Sequence, residues 1–228
     1  MTAYKPRILG SLIALTLPTV SLQALAMEPF TADYQANYMG MQASGTMSLT
    51  RQDDSRWVYS LNIKNRLASL AQSTTFDVHN GRLRPLNSID NTVLLVKKKN
   101  VQGTYDWNSR QATWSGDIKP ERRGPVELQP GDLDGLLINL AIVRDLAAGK
   151  PLNYRMVDNG RARPLTYQIA GKETITVEGR SYEATKVHRN SGDKEQIAWI
   201  VSTLPVPIRI LQREDGKDTI DLTIKSLR

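Results

Sequence analysis

Apolar residues recur at every second position through most of this chain, and two-residue turn signals separate the alternating runs. Trp57, Tyr59, Leu61 and Ile63 alternate with Val58, Ser60, Asn62 and Lys64, and Ile220, Leu222 and Ile224 alternate with Asp221, Thr223 and Lys225. Successive side chains of a strand point to opposite faces, so each run reads as a half-buried strand. Between the runs stand Asn80-Gly81, Asn159-Gly160, Glu178-Gly179, Ser191-Gly192 and Asp215-Gly216. Such dipeptides suit tight hairpins, whose central positions need positive φ. Two-residue turns cannot join parallel neighbours, so the sheet is antiparallel. The pattern predicts roughly eleven or twelve strands.

One segment breaks the alternation. Residues 132–148, DLDGLLINLAIVRDLAA, carry apolar side chains at 133, 136, 137, 140, 143 and 147, the spacing of a helical face. Asp132 is the expected N-cap, and Gly149 with Pro151 ends the helix. Ile138, Ile142 and Leu146 occupy the opposite side, and a helix apolar nearly all round must be buried. The expected fold is therefore all-β and mainly antiparallel, a strongly curved sheet forming a half or closed barrel with one apolar helix in its concavity. Residues 119–131, KPERRGPVELQPG, lead into that helix and are the nearest thing to a domain boundary. A single domain over 27–228 accounts for them better, because the helix needs strands from both sides to bury it.

Residues 1–26 read as a secretory signal peptide. Lys5 and Arg7 precede the apolar run 8–17, Pro18 breaks it, and Ala24-Leu25-Ala26 supplies a small-x-small cleavage site before Met27. An apolar run of 10 residues is half of what a spanning helix needs. Cleavage after Ala26 leaves 202 residues and takes the formal net charge from +7 to +5. The expected location is the periplasm, the mature protein not spanning a membrane.

Chemistry is sparse. With no cysteine there is no disulfide, thiolate metal site, cysteine nucleophile or lipidation site, and two histidines exclude a His-rich metal centre. His79 ends a strand before Asn80-Gly81, and His188 lies within another; neither has a partner at ligand spacing. No nucleophile elbow is present. Asp132-Leu133-Asp134-Gly135 lacks the third acidic position and terminal glutamate of a calcium loop, and helix capping explains it. Asp53-Asp54 and Glu214-Asp215 fall in turns. No motif requires a cofactor or a metal, and the chain is read as non-catalytic.

The basic residues include Lys97-Lys98-Lys99, Arg122-Arg123, and pairs flanking turns at Arg82, Arg84, Arg161 and Arg163. In a periplasm the available polyanions are lipid head groups and wall polymers, not nucleic acid. Lysines also blunt exposed strand edges, and that reading is preferred here. Trp107 and Trp114 are expected to face each other across the turn at Asn108-Ser109. The strands carry too many charges on both faces for an outer-membrane barrel.

Several stretches resemble a bacterial exported family known as domain of unknown function 3108. They are Phe30-Thr31-Ala32-Asp33-Tyr34, the Asn80-Gly81-Arg82-Leu83-Arg84-Pro85-Leu86 turn, the helix with its Arg144-Asp145-Leu146-Ala147-Ala148-Gly149 ending, and Trp199 through Leu204-Pro205-Val206-Pro207-Ile208-Arg209 to Asp215-Gly216. Pro207 departs from the family pattern and marks an edge or bend. The resemblance implies an exported, β-rich protein and carries no catalytic residue.

The layout is similar to periplasmic carriers whose curved sheets wrap helices around an apolar cavity, a fold-level analogy. The leading expectation is a non-catalytic carrier of an apolar or lipid-like ligand, with Leu136, Leu137, Leu140 and Val143 lining the pocket. The alternative is an interaction module docking on an envelope or secretion assembly through a strand edge at Val93, Leu94, Leu95 and Val96. An enzyme acting on cell-wall glycan through distant carboxylates ranks third.

Overall fold

The computed structural model describes residues 27–38 and 40–228; the expected leader lies outside the described residues. In chain order the first strands are β1 (Phe30–Tyr38), β2 (Met41–Arg51), β3 (Arg56–Lys64), β4 (Ala68–His79), β5 (Arg82–Leu94), β6 (Lys97–Asp106), β7 (Gln111–Gly116) and β8 (Val126–Glu127). The helix α1 (Leu137–Ala147) follows, then β9 (Asn153–Asp158), β10 (Arg161–Thr166), β11 (Gln168–Val177), β12 (Arg180–Ser191), β13 (Lys194–Ile200), β14 (Arg209–Glu214) and β15 (Lys217–Leu227).

Thirteen strands form one sheet in the order β11-β12-β13-β14-β15-β1-β2-β3-β4-β5-β6-β7-β8, and β9 pairs with β10 alone. Two meanders are thus joined where the first strand meets the last, with Tyr34 opposite Ile224 and Ala36 opposite Leu222. The sheet is curved but does not close, β8 and β11 remaining as its edges. Alternation in sequence becomes alternation in burial: Phe30, Ala32, Tyr34, Ala36 and Tyr38 of β1 all face inward, as do Trp57, Tyr59, Leu61 and Ile63 of β3. Pro207 sits in the bend between β13 and β14, where its carbonyl accepts a 2.8 Å hydrogen bond from the Tyr34 hydroxyl.

The helix is buried as its all-round apolarity requires. Leu137, Ile138, Leu140, Ala141, Ile142 and Val143 join one core with the inward residues of β1–β4 and β12–β15. Burying a large aliphatic side chain contributes about 1.5–3 kcal/mol, so this cluster is the main reason the sheet wraps where it does. A smaller core of Val101, Tyr105, Ala112, Trp114, Leu128 and Val157 fastens the β9–β10 hairpin to β6 and β7. There the Tyr105 hydroxyl donates to the Val157 carbonyl at 2.9 Å.

Three expectations are corrected. The chain forms fifteen strands rather than roughly eleven or twelve. The two-residue β8 is too short to leave a pattern, and β11 buries only Val177, so neither shows alternation. The helix starts at Leu137 because the preceding residues are engaged elsewhere. Leu133 bridges in parallel to Met156, and Asp132 accepts from the Gln129 N–H at 2.7 Å and from Arg155. Asp134, not Asp132, caps the helix, its Oδ1 accepting from the Leu137 N–H at 2.7 Å. Lastly, Trp114 stands opposite Gly103 and packs edge-on against Tyr105, not against Trp107. The β6–β7 turn spans 107–110, with the Asp106 carboxylate accepting the Asn108 and Ser109 N–H groups, which takes Trp107 out of the ladder.

Candidate functional site

Three stretches meet at one end of the sheet: the β4–β5 turn, the β6–β7 turn, and the segment that leaves β8 for the helix. Between them lies a cleft of about 440 Å³, within the usual range for small-molecule sites. Its apolar wall is Trp107 and Pro130, backed by the buried Leu83 and Leu128, and its charge comes from Arg82, Arg84 and Arg110, with His79 beside them.

Local chemistry explains each position. The Asn80-Gly81 turn, with φ of 51° and 75°, brings His79 and Arg82 to the ends of paired strands. Alternation along β5 then puts Arg82 and Arg84 on one face and the buried Leu83 on the other. Arg84 is held by Asp77 through two hydrogen bonds, Nε to Oδ1 at 2.9 Å and Nη2 to Oδ2 at 2.6 Å. Its guanidinium also lies over Trp107, 5.6 Å from the ring centroid. The Trp107 indole N–H is anchored to the Pro85 carbonyl at 2.7 Å. Arg110 reaches Glu127 at 3.0 Å.

Arg82 differs from the other two. Among the described residues its one side-chain hydrogen bond is to the Pro130 carbonyl at 3.4 Å, and no carboxylate pairs with it. The Asp77 and Glu127 charges offset two of the three arginines, so Arg82 leaves the cleft with an uncompensated positive charge. Such a site can hold the acidic group of a ligand whose apolar part lies against Trp107 and Pro130.

A second, polar cavity of about 30 Å³ lies under the start of the helix, with room for a water molecule but not a sugar ring. Asp134 and Asp158 face it with Thr74, Ser88 and Trp114. Burial, reinforced by the nearby Asp158 charge, pushes the Asp134 carboxyl up to about 7. Burial likewise raises Asp158. The Trp114 Nε1 is buried there without a hydrogen-bond partner. Asp134 is committed to the helix cap and to Thr74, so its role here is architectural.

Of the side chains expected to line a pocket, Leu136 borders this small cavity. Leu137, Leu140 and Val143 are buried in the main core and line neither cavity. Val93 and Leu94 end β5 half-buried, while Leu95 and Val96 form the exposed turn after it. Among the described residues no group of three or more His, Asp or Glu could hold a metal ion, and no helix is long and apolar enough to cross a membrane. The arginine-lined cleft is not recoverable from spacing, because its parts lie at 79–84, 107–110 and 128–131. Its one local signal is the pair Arg82 and Arg84 directly after a hairpin turn.

A long, open antiparallel sheet curved around a buried helix defines a β-barrel-like protein. The chain belongs to the family described as Protein of unknown function (DUF3108), which matches residues 33–223. In shape it is similar to a crystal structure from Brucella abortus described as a beta-barrel-like protein of domain of unknown function DUF1849. The TM-score is 0.54 and the identity 8%, with 88% of this chain and 97% of that one covered. At that identity the likeness concerns the fold alone. No curated protein matches the sequence.

Proposed function

We propose that this chain is an exported, non-catalytic binding protein of the periplasm that carries an amphipathic anion, such as a fatty acid or a lipid-derived acid. One observation carries the reading: the cleft of about 440 Å³ combines Trp107 and Pro130, backed by Leu83 and Leu128, with three arginines, one of which has no carboxylate partner among the described residues. Apolar walls with a few placed polar groups are the general form of a small-molecule site. A planar guanidinium suits a carboxylate or phosphate better than a lysine does. The lipid-like character expected from sequence is kept. The site moves from the helix to the turns at the end of the sheet, and the ligand gains an acidic group.

The test is native mass spectrometry of the chain purified without detergent from a periplasmic extract, followed by solvent extraction and a displacement titration with a fluorescent fatty acid. The reading expects an added mass that extracts as an acidic amphiphile, and displacement that weakens in Arg82→Ala. A clean apo mass together with no binding of the fluorescent fatty acid would sink it. Recovery of the chain from the cytoplasmic fraction alone would remove the exported part of the reading.

A further inference from the structure

We propose that the far end of the same strands is a membrane-docking tip that seats on an anionic phospholipid surface. Strand β5 runs from Arg82 at the cleft to Leu94, and the two turns beyond that end lie side by side. The turn between β3 and β4 presents Leu67, 49% exposed; the turn between β5 and β6 presents Leu95 at 65% and Val96 at 92%. They are tied together, the Leu95 N–H donating to the Leu67 carbonyl at 2.8 Å and Ala68 pairing with Leu94. The first turn is also braced from within, because the Asn65 Oδ1 accepts from the N–H groups of Leu67 and Ala68 at 2.9 and 2.8 Å. Three aliphatic side chains are thus held outward at an apex.

The backbone makes their presence harder to ascribe to turn chemistry. Leu95 has φ 54°, a left-handed conformation in which Asn, Asp or Gly is at ease and a bulky residue is not. Of the other non-glycine residues with positive φ, Asn80, Arg110, Asn159, Glu178 and Asp215, every one is polar.

The surrounding charge identifies the partner. Lys64, Arg66, Lys97, Lys98 and Lys99 are all exposed around the apex. The stretches 55–76 and 91–105 contain no acidic residue. Lys99 is paired with Asp90 at 4.0 Å, and Asp117 accepts the Asn100 N–H at 2.8 Å, so among the described residues the unpaired cations of the apex are Lys64, Arg66, Lys97 and Lys98. Strand β7 stops at Gly116, opposite Val101, so the lysine-bearing end of β6 pairs on one side only and projects past its neighbour. A projecting apolar apex ringed by cations is complementary to a bilayer, where aliphatic side chains enter the interface and lysines meet anionic head groups. A protein partner would need a matching acidic pocket. Docking this end leaves the cleft at the opposite end of β5 facing water.

The experiment is co-sedimentation of the full chain, and of residues 27–228 alongside it, with vesicles of phosphatidylglycerol in phosphatidylcholine and with phosphatidylcholine alone. The shorter chain removes any contribution of the apolar run 8–17 and carries every described strand and the helix. Binding should require phosphatidylglycerol and fall about tenfold in Val96→Ser and in Leu67→Ser, with unfolding midpoints unchanged. Lys97→Gln and Lys98→Gln should each lower it about fivefold. The emission of Val96→Trp should shift to the blue when vesicles are added. Binding that is absent from residues 27–228, or indifferent to Val96→Ser and Leu67→Ser, overturns the proposal. So does a dimer in sedimentation equilibrium that Val96→Ser dissociates, because a second copy would then be what covers the apex.

Discussion

The hydroxyl of Thr74, on β4, donates to the carboxylate of Asp134, 60 residues later, and both side chains are buried. The second oxygen of Asp134 accepts from the Leu137 N–H at 2.7 Å. One carboxylate therefore ties the sheet to the first turn of the helix. The rest of the core around the helix is apolar, aliphatic and aromatic, and gives it no directional bond; this polar link sets its register. The link is made in a low-dielectric place, where the ionised carboxylate is disfavoured.

That cost makes stability depend on pH. In the unfolded chain Asp134 ionises near 4, and in the fold burial pushes it up to about 7. Between those values the folded chain holds a proton that the unfolded chain has released, so stability falls as pH rises from about 4 to about 7 and levels off above. The raised Asp158 acts in the same direction. Urea midpoints measured from pH 5 to 8 should decline, and Asp134→Asn, which keeps an acceptor for Leu137, should remove much of the decline. Asp134→Ala should instead cost about 1–3 kcal/mol across the range, through the lost cap and the unpaired Thr74 hydroxyl. A flat wild-type profile would contradict the assignment.

Arg155 is predicted to be needed for folding rather than binding. It pairs with Asp132, whose side chain is 1% exposed and whose other described partner is the Gln129 N–H. Removing the guanidinium strands a buried carboxylate, and Arg155→Ala should cost about 3 kcal/mol, the low end for such pairs because Arg155 is itself partly exposed. The double variant Asp132→Asn with Arg155→Met should lose less than Arg155→Ala alone. Equilibrium unfolding of the two variants checks the order.

Alternation made β3 and β15 legible, because each buries one face in the core and leaves the other to solvent. The helix itself was legible from apolar residues on all sides. Its first turn was not: Asp132 and Asp134 are equivalent as caps in sequence, and only the positions of Arg155 and Thr74 separate them. Trp107 and Trp114 were misplaced because a ladder that turns at Asn108-Ser109 sets Asp106 opposite Gln111 and therefore Trp114 opposite Gly103, leaving Trp107 in the turn that Asp106 closes. The cleft was illegible for a different reason. Whether Arg82 and Arg84 are solvated or form a site depends on Trp107 and Leu128 arriving beside them from separate segments.

The two arginines on β5 should separate binding from stability. Arg82 has no carboxylate partner among the described residues, so Arg82→Ala should change stability by no more than about 0.5 kcal/mol while weakening an anionic ligand about tenfold. Arg84 is bound at two points to Asp77 and covers Trp107, so Arg84→Ala should lower stability by about 1–2 kcal/mol as well. Measuring denaturation and fatty-acid displacement on both variants distinguishes the roles. Equal stability losses would mean that Arg82 is structural too.

Gly103 is predicted to be fixed by Trp114. The indole lies across the strand opposite it, and a methyl group at 103 would sit 2.9 Å from Nε1 and 3.2 Å from Cδ1 of that ring. It would also come within 2.5 Å of the Ser88 hydroxyl, which can turn away. The ring cannot, because it is buried edge-on against Tyr105 with centroids 6.0 Å apart. Gly103→Ala should therefore destabilise by about 1–3 kcal/mol, as overpacking does. Trp114→Ala loses packing area of its own, but it removes the Cδ1–Nε1 edge of the indole and a buried N–H that has no partner. In a double-mutant cycle the two substitutions together should cost less than the sum of their separate costs, by about 1 kcal/mol. Strict additivity would show that the strain at 103 comes from the backbone and not from the ring.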